Sequence, residues 1–506
     1  MKRFFGTILP LFLIIAAPLL AQDNEAIARR TEEYLLEVKK QWQIPGMAMA
    51  IVKDGEVVYS NGFGVKEMGG DRKVDSKTVF QIGSVSKSFT AAVLASLVDE
   101  GLVKWDDTVK NILPDFGMYD KWVEANLQVK DVMTHRSGLQ GQLGTYIPNM
   151  GYSRDDIYQM LPLLKPKYSL RGSYEYNNVT FIIAAKIIEK LTGKSWDDNV
   201  RERVFAPLGM TSSYVTGEEF AGLSNVAVPH RFSFSNDSVS VAPLYGAEQA
   251  LHWLTVIGPA GSISSNVEDM AKYLIFHLKK GAVGEEQVIS REQVSYLHRG
   301  HTITSQDSSR ITLYGHCWFI EQNNRYRVVF HTGTTWGFTA LAGFVPEQDL
   351  GFVILVNSEA PAFPRYAIMR RLIDLYMGFP DKDYNTQYYG EWLASAQKRA
   401  ADAKEKEAET EKLPAPELKR LTGKYYKDAL FGGAEVTLEK GELFIKAGPK
   451  NWKSPLKHRN GNEFGFRMDG NEFKVTFIFD ADNKKCTGID INFGYTENFG
   501  VWDKIK

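Results

Sequence analysis

Phe80-Gln81-Ile82-Gly83-Ser84-Val85-Ser86-Lys87 runs directly into Ser88-Phe89-Thr90-Ala91-Ala92-Val93-Leu94-Ala95-Ser96-Leu97-Val98. The second part is apolar on most sides, as a helix in a domain interior is, and Gly101 suits its C-terminal end. Ser84 and Lys87 are three residues apart at its start, so they are neighbours on one face. A serine hydroxyl needs a base to take its proton before it attacks. A lysine serves as that base when burial or nearby positive charge lowers its pKa. A serine at a helix N-terminus also gains from the local dipole as negative charge develops. Ser-x-x-Lys is common by chance, and alone it reads as a capping serine beside a surface lysine.

Two further stretches shift that balance. Glu175-Tyr176-Asn177-Asn178 precedes an apolar helical run from Val179 to Leu191 and sets a phenol close to a carboxamide. Arg325-Tyr326-Arg327-Val328-Val329-Phe330-His331-Thr332-Gly333-Thr334-Thr335-Trp336-Gly337 ends a β-rich run in small residues. A glycine there permits close approach to the strand backbone. Free N–H groups of such a strand suit an oxyanion.

Strand-like runs lie at both ends of this region. Met47–Val52 and Val57–Tyr59 flank Asp54-Gly55, a strong hairpin signal because both turn positions tolerate positive φ. Tyr326–Phe330, Thr339–Phe344 and Leu350–Asn357 come late, and mostly helical patterns lie between. The expected architecture is α/β (α+β), with the first and last strands in one antiparallel sheet flanked by helices and the helical middle inserted as a lobe.

The 506 residues suit two or three domains. A net charge of -1 gives no electrostatic footprint for nucleic acid. Lys2 and Arg3, then an apolar run from Ile8 to Leu20, read as a secretory signal over residues 1–21. Its roughly 13 apolar residues fall short of the ~20 that span a bilayer. A chain exported to the periplasm or beyond, with no stable membrane anchor, is therefore expected. The domain that follows covers 26–378. Residues 388–412, charged and alanine-rich from Gln397 to Lys412, read as a solvated helical linker. Residues 417–506 carry turn signals at Lys440-Gly441, Asn460-Gly461, Asp469-Gly470 and Asp480–Lys484, as a small antiparallel meander or barrel does.

Ser84-x-x-Lys87, Tyr176-x-Asn178 and His331-Thr332-Gly333 together resemble the serine β-lactamase and penicillin-binding-protein-like superfamily, most closely its class C β-lactamase, D-aminopeptidase and esterase branch (peptidase family S12-like). Thr134-His135-Arg136-Ser137-Gly138-Leu139, Pro207-Leu208-Gly209-Met210 and Pro259-Ala260-Gly261-Ser262-Ile263-Ser264-Ser265 are similar too. The tail resembles the lipocalin-like barrel of some secreted members. The resemblance implies a β-lactamase/transpeptidase-like fold and an acyl-enzyme on Ser84. Lys87 and Tyr176 would share base and acid work, with the Tyr176 pKa depressed by Lys87. Asn178 would hold Lys87 and bind a substrate amide. The N–H groups of Ser84 and Thr334 would form the oxyanion hole, beside Thr332 and Gly333. His331 stands where many relatives have Lys. It is mostly neutral near pH 7, which favours peptidase or esterase chemistry over penicillin recognition.

The expected activity is hydrolysis of small amides or peptides, D-amino-acid peptidase-like. A carboxylesterase or weak β-lactamase uses the same machinery, and a catalytically silent binding protein is the reading from another class. Nothing asks for a cofactor or metal: His298 and His301 lack accompanying carboxylates. No Gly-x-Ser-x-Gly elbow accompanies His135, whose phrase is structural in the family. Leu191-Thr192-Gly193-Lys194-Ser195 lacks the earlier glycine of a phosphate loop and reads as a helix end. Trp336 either lines the acyl pocket or packs in the core. Cys317 and Cys486 either bridge the two domains or remain buried thiols, and the second is expected. The C-terminal domain is a candidate surface for homo-oligomers.

Overall fold

Met47, Met49 and Ile51 alternate with Ala48, Ala50 and Val52, and all six are buried. A strand buried on both faces needs cover on both sides. The computed structural model supplies it, and describes residues 9–505 apart from 236–237, 245–247, 429–430, 469–470 and 493–497. Strands β1 (Gly46–Lys53) and β2 (Glu56–Gly64) form the hairpin, with positive φ at Asp54 and Gly55. β3 (Thr302–Gln306), β4 (Arg310–Tyr314), β5 (Phe319–Asn323), β6 (Arg327–Thr335), β7 (Phe338–Val345) and β8 (Leu350–Val356) complete an eight-stranded antiparallel sheet. Its order is β2-β1-β8-β7-β6-β5-β4-β3, with Met47 opposite Val356. The first and last segments thus meet, as expected. Strands β3 to β5 were not expected; they are short, and their mixed, mostly half-buried or exposed residues hide the alternation that marks a strand.

One face of the sheet packs on the helical lobe. That lobe contains α2 (Ser86–Asp99), α3 (Thr180–Thr192) and α4 (Val267–Leu278). The other face is covered by α1 (Leu9–Gln41), α5 (Phe363–Tyr376) and α6 (Tyr384–Glu409). The apolar run read as a signal enters α1 from residue 9, while Lys2 and Arg3 lie outside the described residues. Among the described residues no helix is long and apolar enough to cross a membrane.

Helix α6 starts earlier than the charged run suggests, and its first half is not a solvated linker. Tyr384, Trp392 and Ala396 are buried at helical spacing, where α6 packs on α5 and on Trp42 just beyond α1. Trp42 Nε1 donates to Asn385 Oδ1 at 2.9 Å. Beyond Ala401 the described side chains of α6 are exposed. Asn385→Ala would strand the buried indole N–H, at a cost of about 1–3 kcal/mol. A lower urea midpoint for that variant is the expected result.

The tail is a closed eight-stranded antiparallel barrel. Its strands are β9 (Gly423–Asp428), β10 (Gly432–Glu439), β11 (Glu442–Ala447), β12 (Trp452–Asn460), β13 (Glu463–Met468), β14 (Asn471–Phe479), β15 (Cys486–Asn492) and β16 (Asn498–Ile505). Closure removes the sheet edges. Tyr425, Phe464, Phe477 and Trp502 are buried, so the barrel is packed with side chains. Lys440 and Gly441 form a turn at positive φ, while the Asp469-Gly470 signal lies outside the described residues. The barrel rests on the lobe segment 146–152: Tyr152 Oη donates to the Phe431 carbonyl at 2.6 Å, and the Tyr146 ring meets Phe473 edge-on at 5.0 Å. Cys317 and Cys486 are both free and buried.

Candidate active site

Phe80–Gln81 pairs with Ser264–Ser265 in a two-stranded ladder, and the chain then makes one 3₁₀ turn, Gly83–Val85, before α2. Ser84 is half-buried in that turn, and Lys87 is wholly buried one turn on. Lys87 Nζ lies 3.1 Å from Ser84 Oγ, 2.7 Å from Asn178 Oδ1 and 2.8 Å from the Ala260 carbonyl. Burial brings the amine down to about 7, against a small opposing influence of Cys317. A neutral amine has two N–H donors and one lone pair. The two carbonyl oxygens can only accept, so they take both N–H groups and turn the lone pair toward Ser84 Oγ–H.

The Pro259–Ser265 phrase locks α2 in place. Besides Ala260, the Pro259 carbonyl accepts from Thr90 Oγ1 at 2.7 Å, and Ile263 N donates to Ser86 Oγ at 3.0 Å. The Thr134–Leu139 phrase holds the next loop. His135 takes positive φ, its Nδ1 accepts from Asn177 N at 3.1 Å, and its carbonyl accepts from Glu175 N at 2.9 Å. Its ring lies 4.3 Å from that of Tyr176. His135 therefore fixes the backbone beside Tyr176, and burial keeps it neutral.

Tyr176 is brought over Lys87, whose Nζ lies 4.7 Å from the ring centroid. The expected depression of its pKa is not found. Burial pushes the phenol up, and a hydrogen bond with Ser84 only partly opposes this. Tyr176 thus keeps its proton and is poised as a donor. Asn178 spends its amide N–H groups on Gln142 Oε1 at 3.1 Å and Thr145 Oγ1 at 3.4 Å. Those bonds aim its oxygen at Lys87 and occupy the donors assigned above to a substrate.

Strand β6 overruns its neighbour β5, whose pairing ends at Phe330, so 331–335 borders the site along one edge. His331 Nδ1 lies 2.7 Å from the Thr332 carbonyl, which can only accept, so Nδ1 carries the proton. Nε2 then accepts from Tyr314 Oη at 3.0 Å. Burial and Lys87 bring its pKa down to about 3, so His331 is neutral and does not replace a lysine cation. At Gly333 a Cβ would lie 1.8 Å from the Ile82 carbonyl and 3.1 Å from Ser84 N. Gly333 is there for this contact, which sets strand β6 against the turn that carries Ser84.

A cavity of about 560 Å³ opens on Ser84 and is lined also by Tyr176, Asn178, His331, Thr332, Thr334 and Trp336. The Beta-lactamase family model matches residues 29–375. The chain belongs to the Beta-lactamase family. It is 29% identical over 409 residues to an unguisins hydrolase of Aspergillus campestris, covering 78% of this chain and 74% of that protein. To penicillin-binding protein 4 of Amycolatopsis lactamdurans it is 27% identical over 332 residues, 63% of this chain and 82% of that one. The octameric penicillin-binding protein homologue from Pyrococcus abyssi superposes with a TM-score of 0.61 at 21% identity, over 93% of this chain and 99% of the other. The crystal structure of SurE gives 0.56 at 14%, over 96% and 99%.

The Beta-lactamase-family cavity includes residues that sequence reasoning passed over: Gln142, Thr145, Tyr146, Trp253, Phe319, Thr335 and Glu359. Gln142, Thr145 and Tyr146 sit on turns of the lobe, Trp253 on one of its helices, Phe319 and Thr335 on sheet strands and Glu359 just after β8, so only the whole fold brings them together. Trp336 does line the cavity, edge-on to Trp253 at 4.7 Å. Trp253 is anchored by Nε1 donating to the Thr145 carbonyl at 2.6 Å. Lys87 and Gly333 are the two expected site residues that support the cavity without lining it: Lys87 is buried behind Ser84, and Gly333 sets its strand against the Ser84 turn. His298 is bound to His277 at 3.0 Å, and among the described residues no group of three or more His, Cys, Asp or Glu is placed to hold a metal ion.

Proposed function

We propose that this chain is a serine hydrolase that cleaves small amides or peptides through an acyl-enzyme on Ser84. The observation that carries this is the buried Lys87 Nζ, 3.1 Å from Ser84 Oγ and held by Asn178 Oδ1 and the Ala260 carbonyl, where burial brings its pKa down to about 7. Lys87 takes the proton as Oγ bonds to the substrate carbonyl carbon. The oxyanion falls beside the N–H groups of Ser84 and Thr334, and Gly333 holds those two segments together. As the C–N bond breaks, the leaving nitrogen takes a proton, with the Tyr176 phenol as donor; Lys87 re-protonates Tyr176. Water then attacks the ester carbonyl, giving its proton back through Lys87, and frees Ser84. The name of the unguisins hydrolase, a relative at 29% identity, supports hydrolysis. We also place the chain outside the cytoplasm, on Lys2, Arg3 and the apolar run that follows.

A fluorophosphonate probe followed by peptide mass spectrometry tests the reading. Covalent mass is expected on Ser84, lost in Ser84→Ala and retained in Ser86→Ala. No mass on Ser84 in the folded protein would sink it.

A further inference from the structure

The cavity carries a charge pattern that acyl transfer does not use. Glu359 follows the end of β8 and lines the same cavity as Ser84. Its side chain is 23% exposed. One carboxylate oxygen accepts from Gly337 N at 3.2 Å, and the other lies 3.5 Å from Arg231 Nε; burial raises the carboxyl above its ordinary pKa, and these two partners oppose that shift. Among the described residues that line the cavity there is no lysine or arginine, and His331 is neutral. A substrate carboxylate therefore meets no cation on these walls. The cavity is also lined by the aromatic rings of Trp253, Trp336 and Tyr146. A carboxylate and aromatic rings lining one cavity suit a cation, which draws on both the charge and the ring quadrupoles.

We propose that Glu359 and the Trp253–Trp336 pair form a subsite for a substrate ammonium group. This rests on the hydrolase reading and narrows it: the preferred substrate brings a free amine into the cavity and no carboxylate. The amine belongs either to an amino-terminal residue or to a basic side chain.

The full chain is assayed with alanine p-nitroanilide (both enantiomers), its N-acetyl and N-succinyl derivatives, and N-acetyl-lysine p-nitroanilide. The free amine is expected to raise kcat/KM about tenfold or more over the N-acetyl compound. Rescue by the lysine compound assigns the amine to a side chain, and lack of rescue to the amino terminus. In Glu359→Gln the free-amine to N-acetyl ratio falls toward one, chiefly through KM, and Glu359→Asp keeps part of it. A ratio unchanged in Glu359→Gln, an equal loss on both substrates, or preference for the succinyl compound overturns the proposal. Calorimetry on Ser84→Ala with alaninamide against N-acetylalaninamide reads the subsite without turnover. Binding of the free amine that weakens about tenfold in the additional Glu359→Gln background supports it, and equal binding of both compounds overturns it. Ser84 labelling reports separately on the hydrolase reading, so the two failures are distinct.

Discussion

Lys87→Met is expected to slow labelling of Ser84 by about 10³-fold, within the range that a positioned general base contributes. Methionine fills a similar volume and removes only the proton acceptor. Lys87→Arg is expected to fail as badly, because guanidinium stays charged and has no lone pair to offer. Both are read as the rate of fluorophosphonate adduct formation by intact mass. A rate within threefold of the parent in either variant would contradict the assignment. The same amine predicts the pH profile. Protonated Lys87 cannot accept the Ser84 proton, so the labelling rate should rise with pH through about 7. Stability carries the same sign. The unfolded chain holds this proton up to about 10.5, while the folded one releases it near 7. Across that window the unfolded state binds more protons, so the Lys87 contribution to stability improves as pH rises and is poorest below about 7.

Gly333→Ala is the second large effect. The added Cβ would fall 1.8 Å from the Ile82 carbonyl, and neither side has room to yield. Ile82 N is bonded to the Ile263 carbonyl at 3.0 Å, and Gly333 is paired with Ala340 in the sheet. Overpacking of this kind costs about 1–3 kcal/mol. The displacement also separates Thr334 from Ser84, and a misplacement of about 1 Å at a reacting centre costs on the order of 10² in rate. A melting curve and a labelling rate read the two consequences separately. Gly390→Ala is the contrast. It lies in α6 with open space around its Cα, and is expected to stabilise by about 0.5–1 kcal/mol. Equal stability of the two variants would show that the Ile82–Gly333 contact is not a constraint.

The sheet was legible where both faces are buried, because Met47–Val52 and Leu350–Val356 read as continuous apolar runs and Asp54-Gly55 announces a hairpin. Strands β3 to β5 escaped because their partly solvated residues, such as Thr302 to Gln306, have no apolar stripe. The half of α6 that packs on α5 and Trp42 was signalled by Tyr384, Trp392 and Ala396, but the charged run after Gln397 masked it. Ser84, Lys87, Tyr176 and Asn178 were legible as local patterns. The protonation of Tyr176 was not, because it depends on burial under His135 and Tyr314, which are distant in the chain. Glu359 and Trp253 carry no motif and enter the cavity only through the fold.

Strand β1 has one neighbour next to it in the chain and another, β8, beyond the entire helical lobe. During synthesis the β1–β2 hairpin therefore emerges with one apolar edge bare, and it stays bare until Leu350–Val356 has been made. Pairings of such separation form late, and an open apolar edge is a template for pairing between molecules. Folding yield is thus expected to depend on chain concentration, because a neighbour's strand competes with the chain's own.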